Sequence, residues 1–257
     1  MTSPLSSLIT RPAATALICD FDGTLAPIVA DPNAVHAVSG AAEALTALAD
    51  VFETVAVVSG RPLAFLADRL GPTPGVDRYG LYGTEHLVDG AIVLHPDVAA
   101  FRPQVRELVV KLTALLPELR LEVKSDVMVV VHWRERLDLA AEAHSLVTAE
   151  AAARDLWTFD NRMAIEVRPP VAISKATTMT HIADASDIAM MCGDDAADYE
   201  AVVALDEHVR AGALQTALAV AVDSDEILPA FRDRADWLAP SPERFVAALQ
   251  ELAAELR

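Results

Sequence analysis

Acidic residues stand in two places where an apolar run of the sequence ends. Asp20 and Asp22 follow the apolar run Thr15 to Cys19, and Asp194 and Asp195 follow another apolar run later in the chain. An unpaired carboxylate that is buried in a fold is costly, so acids at such positions indicate a cation beside them. Carboxylates that converge from two strand ends suit a hard divalent cation, and Mg²⁺ is the one that phosphate chemistry favours. The acids therefore predict a divalent-cation site.

A hydroxyl and an ammonium group are expected beside these acids. Ser59 follows the apolar run that starts at Thr54, and Lys175 begins a helix that precedes the strand of Asp194. Ligands of an open parallel sheet bind beyond the carboxyl ends of its strands. A hydroxyl and an ammonium group at that edge suit a bound phosphate, by hydrogen bond and by charge respectively. The spacing thus predicts that a metal and a phosphate share one edge of the sheet.

The elements that must position these groups alternate along the first third of the chain. Thr15 to Cys19 is typical of a buried strand, and Ala41 to Phe52 of an amphipathic helix. Thr54 to Gly60 predicts a second strand, and a helix opens at Pro62. Alternation at this spacing predicts parallel strands with right-handed crossovers. The pattern resumes after residue 168, with Ser174 as the expected N-cap of a helix.

The pattern changes between residues 98 and 168. A helix followed by two strands occurs there twice, with turns expected near Ser125–Asp126 and Asp160–Asn161. Such a segment predicts a small α+β unit with an antiparallel sheet. We therefore expect an α/β protein whose Rossmann-like parallel-sheet core comprises residues 1–97 and 169–257, with an α+β domain of residues 98–168 inserted into it.

Composition narrows the classes of partner. The formal net charge of −18 argues against nucleic acid or an anionic membrane as a partner, because both need a basic surface. No uninterrupted apolar segment is long enough to span a bilayer, and the first residues lack the pattern of a signal peptide. The expectation is a soluble, cytoplasmic protein that acts on a small molecule.

The two cysteines imply no disulfide framework. Cys19 directly precedes Asp20, and Cys192 lies two residues before Asp194. If both aspartates reach one metal, their strands must be neighbours in the sheet. The cysteines are then expected to lie close together and to be reduced.

Four motifs together resemble those of the haloacid dehalogenase superfamily: DFDGT, the Ser59-Gly60-Arg61 run, the isolated Lys175 and GDDAAD. The inserted domain resembles the larger cap type of that superfamily. More narrowly, DFDGTLAPI, VSGR, EVK followed by HWR, and EVRP are similar to the trehalose-6-phosphate phosphatase family. The resemblance runs from about Thr15 to the last helix.

The resemblance implies a role for each motif residue. Asp20 would be the nucleophile that forms an aspartyl-phosphate, and Asp22 the acid and then the base. The phosphate would be bound by Ser59, Gly60, Arg61 and Lys175. The Mg²⁺ ligands would be Asp20, the backbone carbonyl of Asp22, and Asp194, with Asp195 also assigned to the metal site and Asp198 near it.

The resemblance also assigns sugar-binding residues to the inserted domain: Glu122, Lys124, His132, Arg134 and Glu166. The alternative is that these residues form a solvated charged face. The sequence departs from the family pattern at Tyr82, where histidine is usual, and at Ala176, where glycine is usual. The expected function is Mg²⁺-dependent hydrolysis of trehalose 6-phosphate. The alternatives are hydrolysis of another sugar phosphate, a phosphomutase, and a non-catalytic domain that binds a sugar phosphate.

Overall fold

The structure is a computed structural model, and it describes residues 3–225 and 227–257. The chain divides into two compact units. Unit 1 comprises residues 1–93 and 173–257, and unit 2 comprises residues 94–172.

Twelve strands are found within the described residues. They are β1 Thr15–Cys19, β2 Thr54–Val58, β3 Asp77–Gly80, β4 Glu85–Val88, β5 Ala91–Leu94, β6 Arg120–Lys124, β7 Met128–His132, β8 Trp157–Asn161, β9 Ala164–Arg168, β10 Ile188–Gly193, β11 Thr216–Val222 and β12 Trp237–Ala239. Nine α-helices are found in the same part of the chain. They are α1 Ala41–Ala49, α2 Leu63–Leu70, α3 Pro96–Ala99, α4 Arg102–Leu115, α5 Ala140–Ala152, α6 Lys175–Ala183, α7 Ala196–Arg210, α8 Pro229–Arg234 and α9 Pro242–Glu255.

Unit 1 is built on an eight-stranded sheet in the order β12-β11-β10-β1-β2-β3-β4-β5. The strands from β12 to β3 pair in parallel, as the alternation of strands and helices predicts. The β3–β4 pair is antiparallel. Because parallel strands point the same way, their carboxyl ends lie along one edge. That edge carries the predicted acids.

The central strand of unit 1 is buried on both of its faces. In β1, Leu17 and Cys19 pack into one apolar layer, whereas Ala16 and Ile18 pack into the other. Successive side chains of a strand point to opposite faces, so a fully covered strand must be apolar throughout. This is why the run that precedes Asp20 contains no charge. The first charged residue of this segment, Asp20, follows directly after the strand ends.

The two cysteines confirm the predicted pairing of strands. Cys19 and Cys192 are register partners on the parallel neighbours β1 and β10. Both are buried free thiols, and burial raises the pKa of Cys192 well above its ordinary value. A buried thiol with a raised pKa is inert.

Unit 2 is the predicted antiparallel α+β arrangement. Its four strands pair in the order β6-β7-β9-β8. One face of the sheet packs on α4 and α5 through an apolar cluster that includes Val129, Val131, Ile165 and Val167. The residues between them belong to the other face of the sheet, since strand side chains alternate.

Several elements differ from the sequence prediction. The helix expected to reach Phe52 ends at Ala49. A hairpin turn at Asp89–Gly90 joins β4 and β5, and both residues have positive φ, as a tight two-residue hairpin turn requires. The short elements α8 and β12 were not predicted, because six and three residues are too few to show a period. Among the described residues, no helix is long and apolar enough to cross a membrane.

Candidate active site at the carboxyl edge of the sheet

Three buried aspartates meet where β1 and β10 end. Asp20 follows β1, and its backbone N–H donates to the carbonyl of Cys192 at 2.9 Å, which continues the pairing of the two strands. One carboxylate oxygen from each of Asp20, Asp194 and Asp198 lies within 4.8 Å of the other two. All three residues are almost fully buried. The sheet thus gathers three acids that are far apart in sequence.

This group of carboxylates fits a hard divalent cation. Burial is the main cause that raises the pKa of Asp20, and likewise that of Asp194, to about 7. The nearby charge of Asp198 raises the pKa of Asp194 further. Carboxylate oxygens are the ligands that Mg²⁺ prefers, and a divalent charge offsets the repulsion between these acids. The donor set therefore fits the Mg²⁺ that the sequence predicts.

Glycines make room for the acids. Gly23 has a φ of +78°, and a Cβ added there would lie 2.2 Å from Oδ2 of Asp194. A Cβ added at Gly193 would lie 2.2 Å from Cγ of Asp198. The chain needs glycine at both positions, because a side chain would displace the carboxylate beside it.

Lys175 is the cation that the protein itself supplies to this group. Its Nζ lies 2.5 Å from Oδ1 of Asp20 and 2.6 Å from Oδ1 of Asp198. Burial opposes the charge of the ammonium, but the attractions of Asp198 and Asp20 outweigh it and hold the pKa of Lys175 well above its ordinary value. The predicted N-cap Ser174 accepts from the Thr177 N–H in a capping box, which fixes the start of α6 where Lys175 stands.

Asp195 and Asp198 make different contacts at the start of α7. The Asp195 side chain accepts from the backbone N–H of Asp198 at 2.9 Å and caps the helix. The structure therefore places Asp198, and not Asp195, in the three-carboxylate group. Burial works to raise the pKa of Asp195, but the charge of Lys175 and the helix N–H groups outweigh it and lower that pKa. The motif GDDAAD carries the signal for Asp198, because an acid three residues after an N-cap belongs to a capping box.

The carboxylate of Asp22 is bound by Arg61 and lies outside the three-carboxylate group. The Arg61 Nε and one terminal nitrogen each donate to one Asp22 oxygen at 2.9 Å. Both side chains are partly exposed. A two-point contact of a guanidinium with a carboxylate fixes orientation as well as distance. Sequence reasoning assigned Arg61 to phosphate and missed this pair, which depends on how two loops approach.

Ser59 and Gly60 form a tight loop at the end of β2. Ser59 is almost fully buried, and its Oγ accepts from the Arg61 N–H at 3.1 Å. The ring of Tyr82 lies against Gly60, because a Cβ added there would meet the ring atoms at 2.8 Å. Tyr82 has a φ of 62°, and its N–H donates to the Ser59 carbonyl at 2.9 Å. A non-glycine residue in the left-handed region is strained and is typical of functional sites.

The sugar-binding residues expected in unit 2 lie mainly on the sheet face opposite α4 and α5. His132 Nε2 lies 2.9 Å from Glu122 Oε2, and Lys124 Nζ lies 3.6 Å from Glu166 Oε2. Glu166 is 2% exposed and also accepts from Arg168 Nε at 2.5 Å. Sequence reasoning missed Arg168, although the two-residue spacing from Glu166 places both on one face.

Arg134 differs from the other four predicted residues of unit 2. It lies two residues beyond β7 and is exposed. None of the hydrogen bonds and ion pairs found in the described part of the chain joins it to the Glu122–His132 or Lys124–Glu166 pair. The structure thus brings four of the five residues into paired contacts.

Comparisons with known proteins agree on one family. The model of the trehalose-phosphatase family matches residues 18–230. The trehalose-phosphate phosphatase of Mycobacterium tuberculosis is 32% identical over 239 residues, which cover 85% of this chain and 60% of the relative. This chain therefore spans less than two thirds of the length of that relative.

Two solved structures confirm the predicted fold class. A trehalose-6-phosphate phosphatase related protein matches with a TM-score of 0.72 and 21% identity, over 93% of this chain and 97% of the other. The trehalose-6-phosphate phosphatase of Aspergillus fumigatus matches with a TM-score of 0.66 and 20% identity, over 95% of this chain and 93% of the other. At these identities the likeness concerns the fold alone.

Proposed function

The chain belongs to the trehalose-phosphatase family, and from this membership we propose that it hydrolyses trehalose 6-phosphate to trehalose and phosphate with Mg²⁺ as cofactor. The observation that supports the proposal most is the approach of Lys175 Nζ to within 2.5 Å of Asp20, inside a group of three buried carboxylates. A buried nucleophile, a fixed cation and a cation site at one strand edge are the parts that phosphoryl transfer needs.

In the first step, an oxygen of Asp20 attacks phosphorus and forms an aspartyl-phosphate, while the bond from phosphorus to the sugar oxygen breaks. Asp22 gives a proton to the departing sugar oxygen, which leaves as a hydroxyl. Lys175, which lies against Asp20, would orient that carboxylate and offset the charge of the phosphoryl oxygens. Ser59 would donate a hydrogen bond to the same oxygens.

In the second step, Asp22 takes a proton from a water molecule as the water attacks phosphorus. The bond between phosphorus and Asp20 breaks, phosphate leaves and the carboxylate of Asp20 is restored. When bound, Mg²⁺ would supply charge neutralisation at the phosphoryl group, with Asp20, Asp194, Asp198 and the Asp22 carbonyl as the groups that would hold it.

We assign sugar binding to unit 2, which acts as a cap domain in this proposal. Glu122, Lys124, His132, Arg134 and Glu166 would bind sugar hydroxyls. The burial of Glu166 supports this over a solvated charged face, because such a face would leave its carboxylate in water. Arg134 has the weakest support, since it is exposed.

A panel of phosphate esters tests the proposal. Purified protein would be assayed for phosphate release from trehalose 6-phosphate, glucose 6-phosphate, sucrose 6-phosphate and an aryl phosphate, with Mg²⁺ and with excess EDTA. The proposal expects the highest kcat/KM for trehalose 6-phosphate and no turnover in EDTA. A higher kcat/KM for another sugar phosphate would keep the chemistry and change the substrate.

A non-catalytic role is a further alternative, and binding separates it from catalysis. A sugar-phosphate-binding domain would bind trehalose 6-phosphate in calorimetry and release no phosphate from any ester in the panel.

Two buried free thiols are compatible with a reducing compartment, so we place the reaction in the cytoplasm.

A further inference from the structure

Glu85 is a buried carboxylate that the proposed mechanism does not use. It begins β4 and is 2% exposed. A carboxylate that is removed from water needs hydrogen-bond donors, since burial without them is costly. Oε2 of Glu85 accepts from the backbone N–H of Leu63 at 2.6 Å. The residue that precedes this donor is Pro62, and Arg61 comes before that.

The Leu63 N–H belongs to the first turn of α2, where helix N–H groups lack partners within the helix. The residue at the N-cap position is Pro62, whose side chain has no hydrogen-bonding group. Glu85 of β4 supplies the missing acceptor, although it lies 22 residues further along the chain. The negative charge also suits the positive end of the helix dipole. The start of α2 is therefore fixed by a side chain that is remote in sequence.

Gly80 provides the space for this contact. A Cβ added at Gly80 would lie 2.6 Å from Leu63 N, 2.7 Å from Glu85 Oε2 and 2.9 Å from the Arg61 carbonyl oxygen. The φ of Gly80 is −101°, which any residue can adopt. Its lack of a side chain thus serves the close approach of three segments, since its backbone conformation does not require glycine.

The hydrogen bond between Glu85 and Leu63 lies beside the backbone of Arg61, since both adjoin Gly80. The Arg61 carbonyl accepts from the Leu81 N–H at 3.0 Å, and its own N–H donates to Ser59 Oγ. With the backbone of Arg61 held on both sides, its guanidinium reaches Asp22 through two hydrogen bonds of 2.9 Å. Glu85 therefore contacts Leu63, which follows Arg61 by two residues in the chain, and Arg61 in turn contacts Asp22.

We propose that Glu85 is a positioning residue, which holds the loop of Ser59 to Arg61 against the start of α2 so that Arg61 orients the carboxylate of Asp22. The proposal rests on the proposed function for its catalytic consequence. Loss of the Glu85 acceptor frees the start of α2 two residues after Arg61, and the Arg61 backbone then keeps only its hydrogen bonds with Ser59 and Leu81. Misplacement of a reacting group by about 1 Å can lower a rate by about 10²-fold.

The test compares Glu85→Ala with the conservative Glu85→Gln and with Gly80→Ala. The Gln side chain retains an oxygen acceptor, whereas the Cβ of Gly80→Ala enters the space of the hydrogen bond without removing the carboxylate. Ser241→Ala is the matched control: Ser241 Oγ caps α9, a helix that carries none of the proposed site residues. Ser241→Ala, like Glu85→Ala, removes a side-chain oxygen that accepts from a backbone N–H in the first turn of a helix, and this loss lowers stability.

For the aryl phosphate, we expect Glu85→Ala to lower kcat by about 10²-fold and to change KM by less than about threefold. The kcat of Glu85→Gln should be at least about tenfold higher than that of Glu85→Ala. Ser241→Ala should keep kcat near the wild-type value while lowering the melting temperature. Gly80→Ala should lower kcat as well, and Glu85→Asp, whose side chain is one methylene shorter, replaces Glu85→Ala if that variant does not fold. Wild-type kcat in both Glu85→Ala and Gly80→Ala, no rescue by Glu85→Gln, or an equal kcat loss in Ser241→Ala would overturn the proposal.

A second readout does not depend on turnover. The Arg61 Nε–H gives an NMR resonance that Arg61→Lys removes, and Asp22→Asn should shift it because the ion pair is lost. Glu85→Ala should shift it in the same direction, and Ser241→Ala should leave it unchanged. If the wild-type protein releases no phosphate, the proposed function fails, but this resonance still decides whether Glu85 positions Arg61. An unshifted resonance in Glu85→Ala would refute the positioning role alone.

Discussion

At the scale of single residues, Asp22 is held by a side chain that sequence reasoning assigned elsewhere. Its carboxylate accepts two hydrogen bonds from Arg61, at 2.9 Å each. Such a contact keeps an acid–base group in one orientation, and a catalytic group must be within hydrogen-bond reach of the proton that it moves. A substitution of Asp22 can therefore test the role proposed for it.

Asp22→Asn should lower kcat for trehalose 6-phosphate by about 10²–10⁴-fold, because the amide keeps the shape of the carboxylate but cannot transfer a proton. KM should change less, since the substrate contacts proposed for Ser59 and Lys175 remain. Stopped-flow kinetics with an aryl phosphate provides the control: an aryl oxide needs little protonation to leave, so its first release step should be slowed far less. A variant that turns over trehalose 6-phosphate at the wild-type rate would remove Asp22 from the acid–base role.

Position at a strand end was enough to predict that Asp20, Ser59 and Asp194 share an edge. The contacts within that edge were not predictable, because they depend on loop paths that no periodicity records. Asp195 and Asp198 are the example: the motif indicates their capping box, but it does not indicate that Asp198 approaches the other two acids. Both residues stand in one short motif, and only the start of α7 decides which of them turns inward.

At the scale of elements, the face of the unit 2 sheet opposite α4 and α5 carries a row of polar residues across neighbouring strands. Glu122 pairs in register with Val130, and Val130 pairs with Glu166. Lys124 lies two residues from Glu122 on the same face and reaches Glu166 at 3.6 Å. This arrangement can present carboxylates and an ammonium group to hydroxyls of one ligand.

Lys124→Ala and Glu166→Ala should each lower kcat/KM for trehalose 6-phosphate far more than for an aryl phosphate, which has no sugar to bind. Glu150→Ala, which removes the Glu150–Arg154 ion pair of α5, is the matched control in the same unit and should affect neither substrate. Steady-state kinetics on both esters measures the difference. Equal losses on the two substrates would assign Lys124 and Glu166 to stability instead of recognition.

Apart from the short β12, the strands of both sheets could be predicted because apolar runs and their bounding turns are strong local signals. Helix α7 was harder to predict, since the residues that it buries include the small Ala201 and the charged Asp198 besides Val202 and Leu205. The antiparallel pairing of β3 with β4 depends on a chain reversal through Leu81 and Tyr82, both with positive φ. Residues of these types rarely signal such a turn.

At the scale of the whole molecule, an excess of acid at one site makes stability depend on pH and on metal. Burial raises the pKa of Asp20 and of Asp194 from 3.8 to about 7. In the metal-free protein, the stability that these protonated groups contribute is fully present below about pH 4 and is lost as the pH rises through about 7. Binding of Mg²⁺ requires the ionised carboxylates, so its stabilising effect must follow the opposite trend.

The rise in melting temperature caused by Mg²⁺ should therefore be small at low pH and should grow as the pH rises through about 7. Thermal unfolding with Mg²⁺ and with EDTA, at matched ionic strength across that range, measures it. Asp194→Asn should abolish most of the increase. An increase of the same size at every pH would contradict a site built from acids of raised pKa.

The central claim is that this chain hydrolyses trehalose 6-phosphate through Asp20, and product analysis of one reaction tests it most directly. Trehalose and phosphate are quantified after purified protein is incubated with trehalose 6-phosphate and Mg²⁺, beside Asp20→Asn shown by circular dichroism to be folded. The account predicts equal amounts of trehalose and phosphate from the wild-type protein and neither product from the variant. Phosphate release by Asp20→Asn at the wild-type rate, or no release by the wild-type protein with Mg²⁺ present, would contradict it.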